Sequence, residues 1–334
     1  MPEDNNEIVK NKQYHHHHRH HHHHHHHYHH RRRRGWVLFW SILGVLVAIA
    51  VIFAGVAWHN LSVTTSDMYS TSGANAKRNA RQVLKQGKPV SILLMGTDTG
   101  ALGRTDRGRT DTLMLMTLNP QKKTTTIVSV PRDMKVNLPG YAAYSPAKIN
   151  AAYTYGGVKE TINTMQKEFD VPIDYYLLVN MEGLEKAINR VGGIDVTSPL
   201  TFSFEGSSFK RGKTYHLNGE QALRFSRMRH EDPNGDYGRQ QRQRLIIAAL
   251  LKKSVSYKTL LNRSFLDALS DSSQTDLSMK DMLTLARKYS STRENVKQDH
   301  VEGNNDDEGG VSFQSVSSDE RQRVTNLIQE SLQN

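Results

Sequence analysis

Twenty-three consecutive residues without a charge, WVLFWSILGVLVAIAVIFAGVAW at 36–58, constrain this chain of 334 residues more than any other feature. At about 1.5 Å of rise per residue, a helix of that length covers roughly 34 Å, enough for a bilayer core of about 30 Å. Trp36, Trp40 and Trp58 lie near its ends, where indole rings prefer the interface. Arg31, Arg32, Arg33 and Arg34 abut its N-terminal end. The excess of positive charge there predicts a cytoplasmic N-terminus and an exterior chain from Asn60 onward. A cleaved secretory signal has an apolar region of about 7–15 residues and a small-residue cleavage site, and residues 36–58 fit neither. The expectation is a single-pass anchor in the cell membrane.

Four segments follow: a His/Arg-rich cytoplasmic tail (1–34), the transmembrane helix (35–58), a stalk with a leading helix (59–88) and a large exterior domain (89–334). The histidines clustered between 15 and 30, broken by Arg19 and Tyr28, read as a solvated, weakly basic tail or as a transition-metal binder. The absence of cysteine excludes disulfides, thiolate zinc sites and thiol catalysis. With 44 Lys and Arg against 33 Asp and Glu, and an excess that persists beyond the anchor, an anionic partner is expected. Nucleic acid is excluded as that partner by the exterior location.

Within the exterior part, residues 91–96 (SILLMG), 112–118 (TLMLMTL) and 124–130 (TTTIVSV) are short apolar or β-branched runs bounded by turn residues, which predicts strands. Helical periodicity follows at 148–155 and 158–169, then a strand at 175–180, a helix at 182–191 and a strand at 194–197. Further helices are expected at 76–86, 220–224, 239–255, 259–269 and 279–288. A polar, acidic loop is expected at 291–310, a strand at 311–316 and a final helix at 319–332 capped by Ser317 or Ser318. Such alternation predicts an α/β domain with a central sheet flanked by helices.

Familiar catalytic motifs are absent. Residues 96–104 contain glycine but lack the Lys-Ser/Thr ending of a phosphate-binding P-loop, and no GxSxG or HExxH occurs. Two carboxylates flank strands instead: Asp98 just past the first and Asp111 just before the second. If those strands pair antiparallel, both emerge at one sheet end, where carboxylates suit Mg2+; turn formation is the other role open to them. Arginines form the stronger pattern. Arg132 follows the third strand. Arg227 and Arg229 in FSRMR face one side if that stretch is extended. In DYGRQQRQRLI, Arg239 and Gln243 share a helix face with Arg242 beside them. Guanidinium forks gathered in this way match the oxygens of a multiply charged phosphate.

With these residues in view, the chain resembles the LytR–CpsA–Psr proteins of Gram-positive bacteria. The resemblance runs from about Ser91 to Leu250 through SILLMGTD, GRTDTLMLMTLNP, VSVPRDMKV, KINAAYTYGG, GGIDV, LNGEQALRFSRMR and GDYGRQQRQR. The histidine tract is no part of that pattern, and Arg242 stands where members often have Asn. The resemblance implies a three-layer α/β/α fold with a mixed sheet and a lipid-accommodating groove. It implies an enzyme that transfers an anionic glycopolymer, a teichoic acid or capsular polysaccharide, from undecaprenyl pyrophosphate to peptidoglycan. Carried over by position, Asp98 and Asp111 would ligate Mg2+, or Mn2+ in its place, while Arg132, Arg227, Arg229, Arg239 and Gln243 would hold the pyrophosphate. Arg109 and Asp133 would be their neighbours. Two alternatives accompany this reading: a polyprenyl-pyrophosphate hydrolase using the same residues, and a non-enzymatic membrane-bound regulator.

Overall fold

The computed structural model of the chain describes residues 47–48, 51, 68–97, 108–254 and 272–334. The chain divides between Gly55 and Val56, and the description below concerns the second unit. The expected transmembrane helix (save Val47, Ala48 and Val51), the histidine tract, the first part of the stalk (59–67), Asp98 and the helix expected at 259–269 lie outside the described residues. Among the described residues, no helix is long and apolar enough to cross a membrane.

A short helix α1 (Ala80–Lys85) leads into β1 (Val90–Thr97), β2 (Thr110–Asn119) and β3 (Thr124–Val130). After the small ladder β4 (Lys135–Val136) and β5 (Ala147–Lys148) come α2 (Ala151–Phe169), β6 (Tyr175–Asn180) and α3 (Met181–Arg190). A subsidiary region follows, with β7 (Ile194–Thr197), β8 (Phe202–Phe204), β9 (Ser207–Phe209) and β10 (Thr214–Leu217). The chain then forms α4 (Gly219–Arg227), the long α5 (Gly235–Ser254), β11 (Ser273–Thr275) and α6 (Met279–Lys288). It ends with β12 (Asn295–His300), β13 (Asn304–Glu308), β14 (Val311–Ser315) and α7 (Ser318–Ser331).

Six strands make the central sheet in the order β11-β6-β1-β2-β3-β12. The β1–β2–β3 meander is antiparallel, whereas β6 and β12 add parallel to its two edges. The sheet is therefore mixed, as the family resemblance implied. Its inner strands β1 and β2 read as largely apolar runs because both faces are covered. Alternate side chains separate into two cores. Leu93, Met95, Leu113 and Leu115 pack with Ile162, Met165 and Phe169 of α2 and Val324 and Ile328 of α7. Ile92, Met114 and Met116 pack on the other face with Leu84, Leu277 and Met282. A third core joins α3, β7–β10, α4 and α5 through Ile188, Val196, Phe202, Phe225 and Ile246.

Two expectations about these elements hold and one fails. The two helices expected at 148–155 and 158–169 are both present, α2 being divided by a kink at Gly157 (φ +64°). Ser317 is the cap of the last helix, its hydroxyl accepting from Glu320 N. The loop expected at 291–310 is instead β12 and β13. β12 is an outer strand with polar residues on both faces, so it carries none of the apolar alternation by which strands are recognised. β13 pairs only with β14 and is polar throughout.

Candidate active site

Antiparallel pairing of β1 with β2 meets the condition that the two carboxylates required. Thr97, the last described residue before Asp98, pairs with Thr110, next to Asp111. Asp111 is partly buried and its Oδ1 forms an ion pair with Nη1 of Arg132. Arg132 stands in the turn after β3, which is pinned from both sides: Met134 N donates to Pro131 O at 3.0 Å, and Asn150 N to Arg132 O at 3.1 Å.

Arg239 comes from α5. Its side chain is 11% exposed and approaches Asp236 Oδ1 with Nη2 at 2.7 Å. The contact is close but misaligned, so both Nε and Nη2 of Arg239 remain buried without a hydrogen-bond acceptor. Burial holds the Arg239 pKa below the usual arginine value, Asp236 and Asp111 oppose that shift, and the charges of Arg132 and Arg229 reinforce it. Arg229 Nε lies 3.6 Å from the same Asp236 oxygen, and Gln240 Nε2 donates to Asp236 Oδ2 at 3.0 Å. Arg132, Arg229 and Arg239 thus converge around two carboxylates, Asp111 and Asp236.

Asp236 was not among the expected site residues. Its signal in the sequence is the i, i+3 spacing to Arg239 in the first turn of a helix, where an acidic residue also suits the helix dipole.

The other expected residues are distributed as follows. Gln243, one turn beyond Arg239, has a buried Oε1 with no hydrogen-bond partner and borders the cavity described below. Asp133 Oδ1 is likewise buried and unbonded. Arg109 and Arg227 are exposed and form no ion pair with a described residue. The expectation that 227 and 229 extend along one strand face is corrected: Arg227 ends α4, and Arg229 lies in the turn that follows. A helix end places them on different sides, so only Arg229 reaches Asp236.

Arg242 does not join the other arginines either. It is fully buried, donates from Nε to Phe225 O at 3.0 Å, and bonds to Met228 O and the Asp232 carboxylate with its other nitrogens. The guanidinium stacks over Phe202 at 5.2 Å. Arg242 therefore ties the turn bearing Arg229 to α5. Gly238 makes room for that arrangement, because a Cβ there would stand 1.9 Å from Asp232 Oδ2. Arg242→Met is expected to strand a buried carboxylate, at a cost of about 3–5 kcal/mol, and to lower the melting temperature by roughly 10 °C. Melting within about 2 °C of the parent chain would remove this structural role.

At the mouth of the arginine cluster opens a cavity of about 320 Å3 between the sheet and α5. Thr112, Met114, Met116 and Leu118 line it at alternate positions of β2, so it follows the strand for roughly 20 Å. Gln243, Ile247 and Leu250 line it from α5. Six of the chain's 11 methionines (Met68, Met95, Met114, Met116, Met181 and Met282) border it, which makes the wall apolar and adaptable. Thr112 and Gln243 mark the part of the wall nearest Asp111 and Arg239 in the chain, while Asn180, Ser226 and Arg293 add polar groups elsewhere.

This architecture defines a class: a mixed α/β protein with a converging arginine site at the mouth of a long apolar cavity. The chain belongs to the LytR_cpsA_psr family, whose model matches residues 55–330. It is similar to the polyisoprenyl-teichoic acid–peptidoglycan teichoic acid transferase TagU of Enterococcus faecalis, with 41% identity over 297 residues, covering 89% of this chain and 96% of that one. The crystal structure of B. subtilis TagU superposes with a TM-score of 0.59 at 34% identity, over 74% of this chain and 98% of the other. A structure of TagT bound to LI-WTA superposes with a TM-score of 0.60 at 27% identity, over 73% of this chain and 91% of the other. The chain is accordingly an enzyme, a transferase of phosphorus-containing groups.

Proposed function

We propose that the chain moves an anionic glycopolymer, a teichoic acid or a capsular or wall polysaccharide, from an undecaprenyl-pyrophosphate carrier to a hydroxyl of peptidoglycan. The observation that carries this reading is the adjacency of two unlike environments. Arg239, with buried donors lacking hydrogen-bond acceptors, lies one helical turn from Gln243 in the wall of a predominantly apolar cavity. A polyprenyl pyrophosphate has this composition, a long apolar tail ending in a multiply charged head. The relatives named as transferases of polyisoprenyl-linked teichoic acid support it.

In the reaction, the acceptor hydroxyl oxygen bonds to the sugar-proximal phosphorus. The bond from that phosphorus to the bridging oxygen breaks, and polyprenyl monophosphate leaves. Negative charge gathers on the non-bridging and leaving oxygens, so catalysis is chiefly positioning and charge stabilisation. Arg132 and Arg239 meet that charge, and Asp236 holds Arg239 and Arg229 in register. The hydroxyl proton passes to a carboxylate. Asp133, whose buried Oδ1 accepts no hydrogen bond, is the candidate, because Asp111 is already paired with Arg132.

Mg2+, or Mn2+, fits the donor set at the β1–β2 end, where Asp111 offers the hard carboxylate oxygen such ions take. Asp98, next in the chain after Thr97, would be the second ligand. The ion would supply further neutralisation of phosphate charge. The same reading makes the apolar segment 36–58 the anchor that keeps the enzyme at the outer membrane face, where lipid-linked polymer and wall meet.

The test is incubation of the full-length chain with a lipid-pyrophosphoryl glycan and peptidoglycan oligomers, followed by mass spectrometry. A glycan–phosphate–muropeptide adduct with release of polyprenyl monophosphate is expected. Free glycan phosphate without adduct would establish hydrolysis instead, and an unchanged donor would leave the regulatory reading.

A further inference from the structure

A second polar pocket, of about 430 Å3, lies on the other side of α5 and is lined by Tyr237, Gln241, Arg244, His300, Glu302 and other residues. At 100° per residue, positions 237, 241 and 244 occupy a helix face turned roughly 100–160° away from Arg239 and Gln243. The pocket is therefore separate from the arginine cluster but adjoins it through the first turn of the helix.

Arg244 is the unusual residue in it. It is 6% exposed, and neither Nε nor Nη1 has a hydrogen-bond acceptor. Asp299, whose charge opposes loss of the Arg244 proton, is already held by Arg323, with Nη1 at 2.7 Å and Nη2 at 3.5 Å. Leaving buried guanidinium donors unpaired is costly, and burial pushes the Arg244 pKa down to about 10, so the group remains charged at neutral pH. The walls are preformed. Tyr237 and His300 stack with ring centres 5.2 Å apart, and Gly303 N donates to the Tyr237 hydroxyl at 2.8 Å. On the rim, Glu302 Oε1 lies 3.8 Å from His300 Nε2 with its side chain 75% exposed.

We propose that this pocket is the subsite that holds a carboxylate of the acceptor. The guanidinium of Arg244 takes the two oxygens as a fork, and Glu302 takes an N–H or ammonium group beside that carboxylate. One fixed cation opposite one carboxylate matches a monoanion with a neighbouring donor, the pattern of an amino-acid terminus, better than it matches a phosphate dianion. The assignment rests on the proposed reaction, because peptide carboxylates are what a peptidoglycan acceptor presents. It would place the acceptor on one side of α5 while the lipid carrier occupies the other, with the first turn of the helix between them.

His300 supplies an independent readout. Its pKa is held down by burial and by Arg244 and Arg323, against the opposing pull of Glu302 and Asp299, and Tyr237 covers its ring. A bound carboxylate favours the imidazolium, so its pKa in the complex exceeds that in the free protein, and binding tightens as pH falls through those values.

The experiment titrates the full-length, detergent-solubilised chain by calorimetry with three probes: a disaccharide dipeptide of the muropeptide type, the same compound with its carboxylates amidated, and glycerol phosphate. The free acid is expected to bind at least tenfold more tightly than the amide, and more tightly at pH 6 than at pH 8. Gln241→Glu, an exposed change at the pocket mouth, is expected to weaken binding at least tenfold without altering the melting temperature. Arg244→Met should abolish binding, and His300→Gln should flatten the pH dependence. Equal binding of acid and amide, indifference to Gln241→Glu, or a preference for glycerol phosphate would each overturn the assignment. Carboxylate binding that depends on Gln241 and Arg244 would support the pocket even if no transfer were seen, which would count against the proposed reaction alone. Transfer with acceptor binding that ignores both substitutions would overturn the pocket alone.

Discussion

Arg239→Met is expected to slow transfer by roughly a hundredfold to ten-thousandfold while the chain stays folded. Charge-assisted hydrogen bonds contribute about 1.5–3 kcal/mol each, and Arg239 holds two buried donors, Nε and Nη2, that no acceptor within the protein uses. Neither donor is committed to a hydrogen bond among the described residues, although Nη2 forms an ion pair with Asp236, so both can turn to phosphate oxygens. Lysine at this position should recover only part of the rate, because a point charge does not reproduce two parallel donors. The exposed Arg227 should matter less. It has no partner fixing its direction among the described residues, and water competes for an exposed charge. The measurement is initial transfer rate beside melting temperature for Arg239→Met, Arg239→Lys and Arg227→Met. An Arg239→Met chain that melts normally and retains half its rate would end the assignment of Arg239 to the pyrophosphate.

The central sheet was legible because its strands are apolar runs of the right length with turn residues between them, and β3 and β6 begin and end where the pattern places them. β12 was not legible, for a physical reason: an outer strand exposed along much of its length can be built from NVKQDH, because backbone pairing with β3 needs no particular side chain. Helix starts were harder than helix existence. α5 begins at Gly235, four residues before the expected start, because the segment from Gly235 to Tyr237 carries turn-forming and polar residues that hide the first turn.

For the site, residue type was informative and direction was not. The sequence singled out Arg132, Arg229, Arg239, Gln243 and Asp111, but could not tell which arginines face the same space. Arg242 and Arg239 differ by three positions on one helix, yet one ties Phe225, Met228 and Asp232 together while the other pairs with Asp236 and keeps donors without hydrogen bonds. Only the packing of α4 and its following turn against α5 separates those fates. Asp236 shows the converse: a residue that orients two arginines gives no stronger signal than any acidic residue in a first helical turn. Arg244, in the same RQQRQR run, reads from sequence as one more basic residue of a solvated face, although it is buried.

Asp111→Asn is expected to reduce transfer by orders of magnitude, and its pairing with Arg132 gives that loss two different causes. If Asp111 serves chiefly to aim Arg132, removing either partner breaks the same contact. Asp111→Asn and Arg132→Met would then cost about the same, the double variant would be little worse than either, and the dependence on Mg2+ would not change. If Asp111 is a metal ligand, Asn keeps the shape but removes a charge from the ion's shell. The Mg2+ concentration for half-maximal rate should then rise at least tenfold in Asp111→Asn and hold steady in Arg132→Met, with partial recovery of the Asn variant at high Mg2+ or Mn2+. The same comparison extends to Asp98→Asn, which on the metal reading should displace the Mg2+ curve in the same direction. Melting temperature without metal completes the set. Loss of a carboxylate that repels its neighbour leaves stability unchanged or slightly raised, whereas a carboxylate that only forms a turn would cost stability and spare the rate. The reading that stands is the one in which Asp98→Asn and Asp111→Asn share a displaced Mg2+ curve; a curve unmoved in both would strip the metal from the proposed mechanism and leave the arginines to carry the phosphate charge alone.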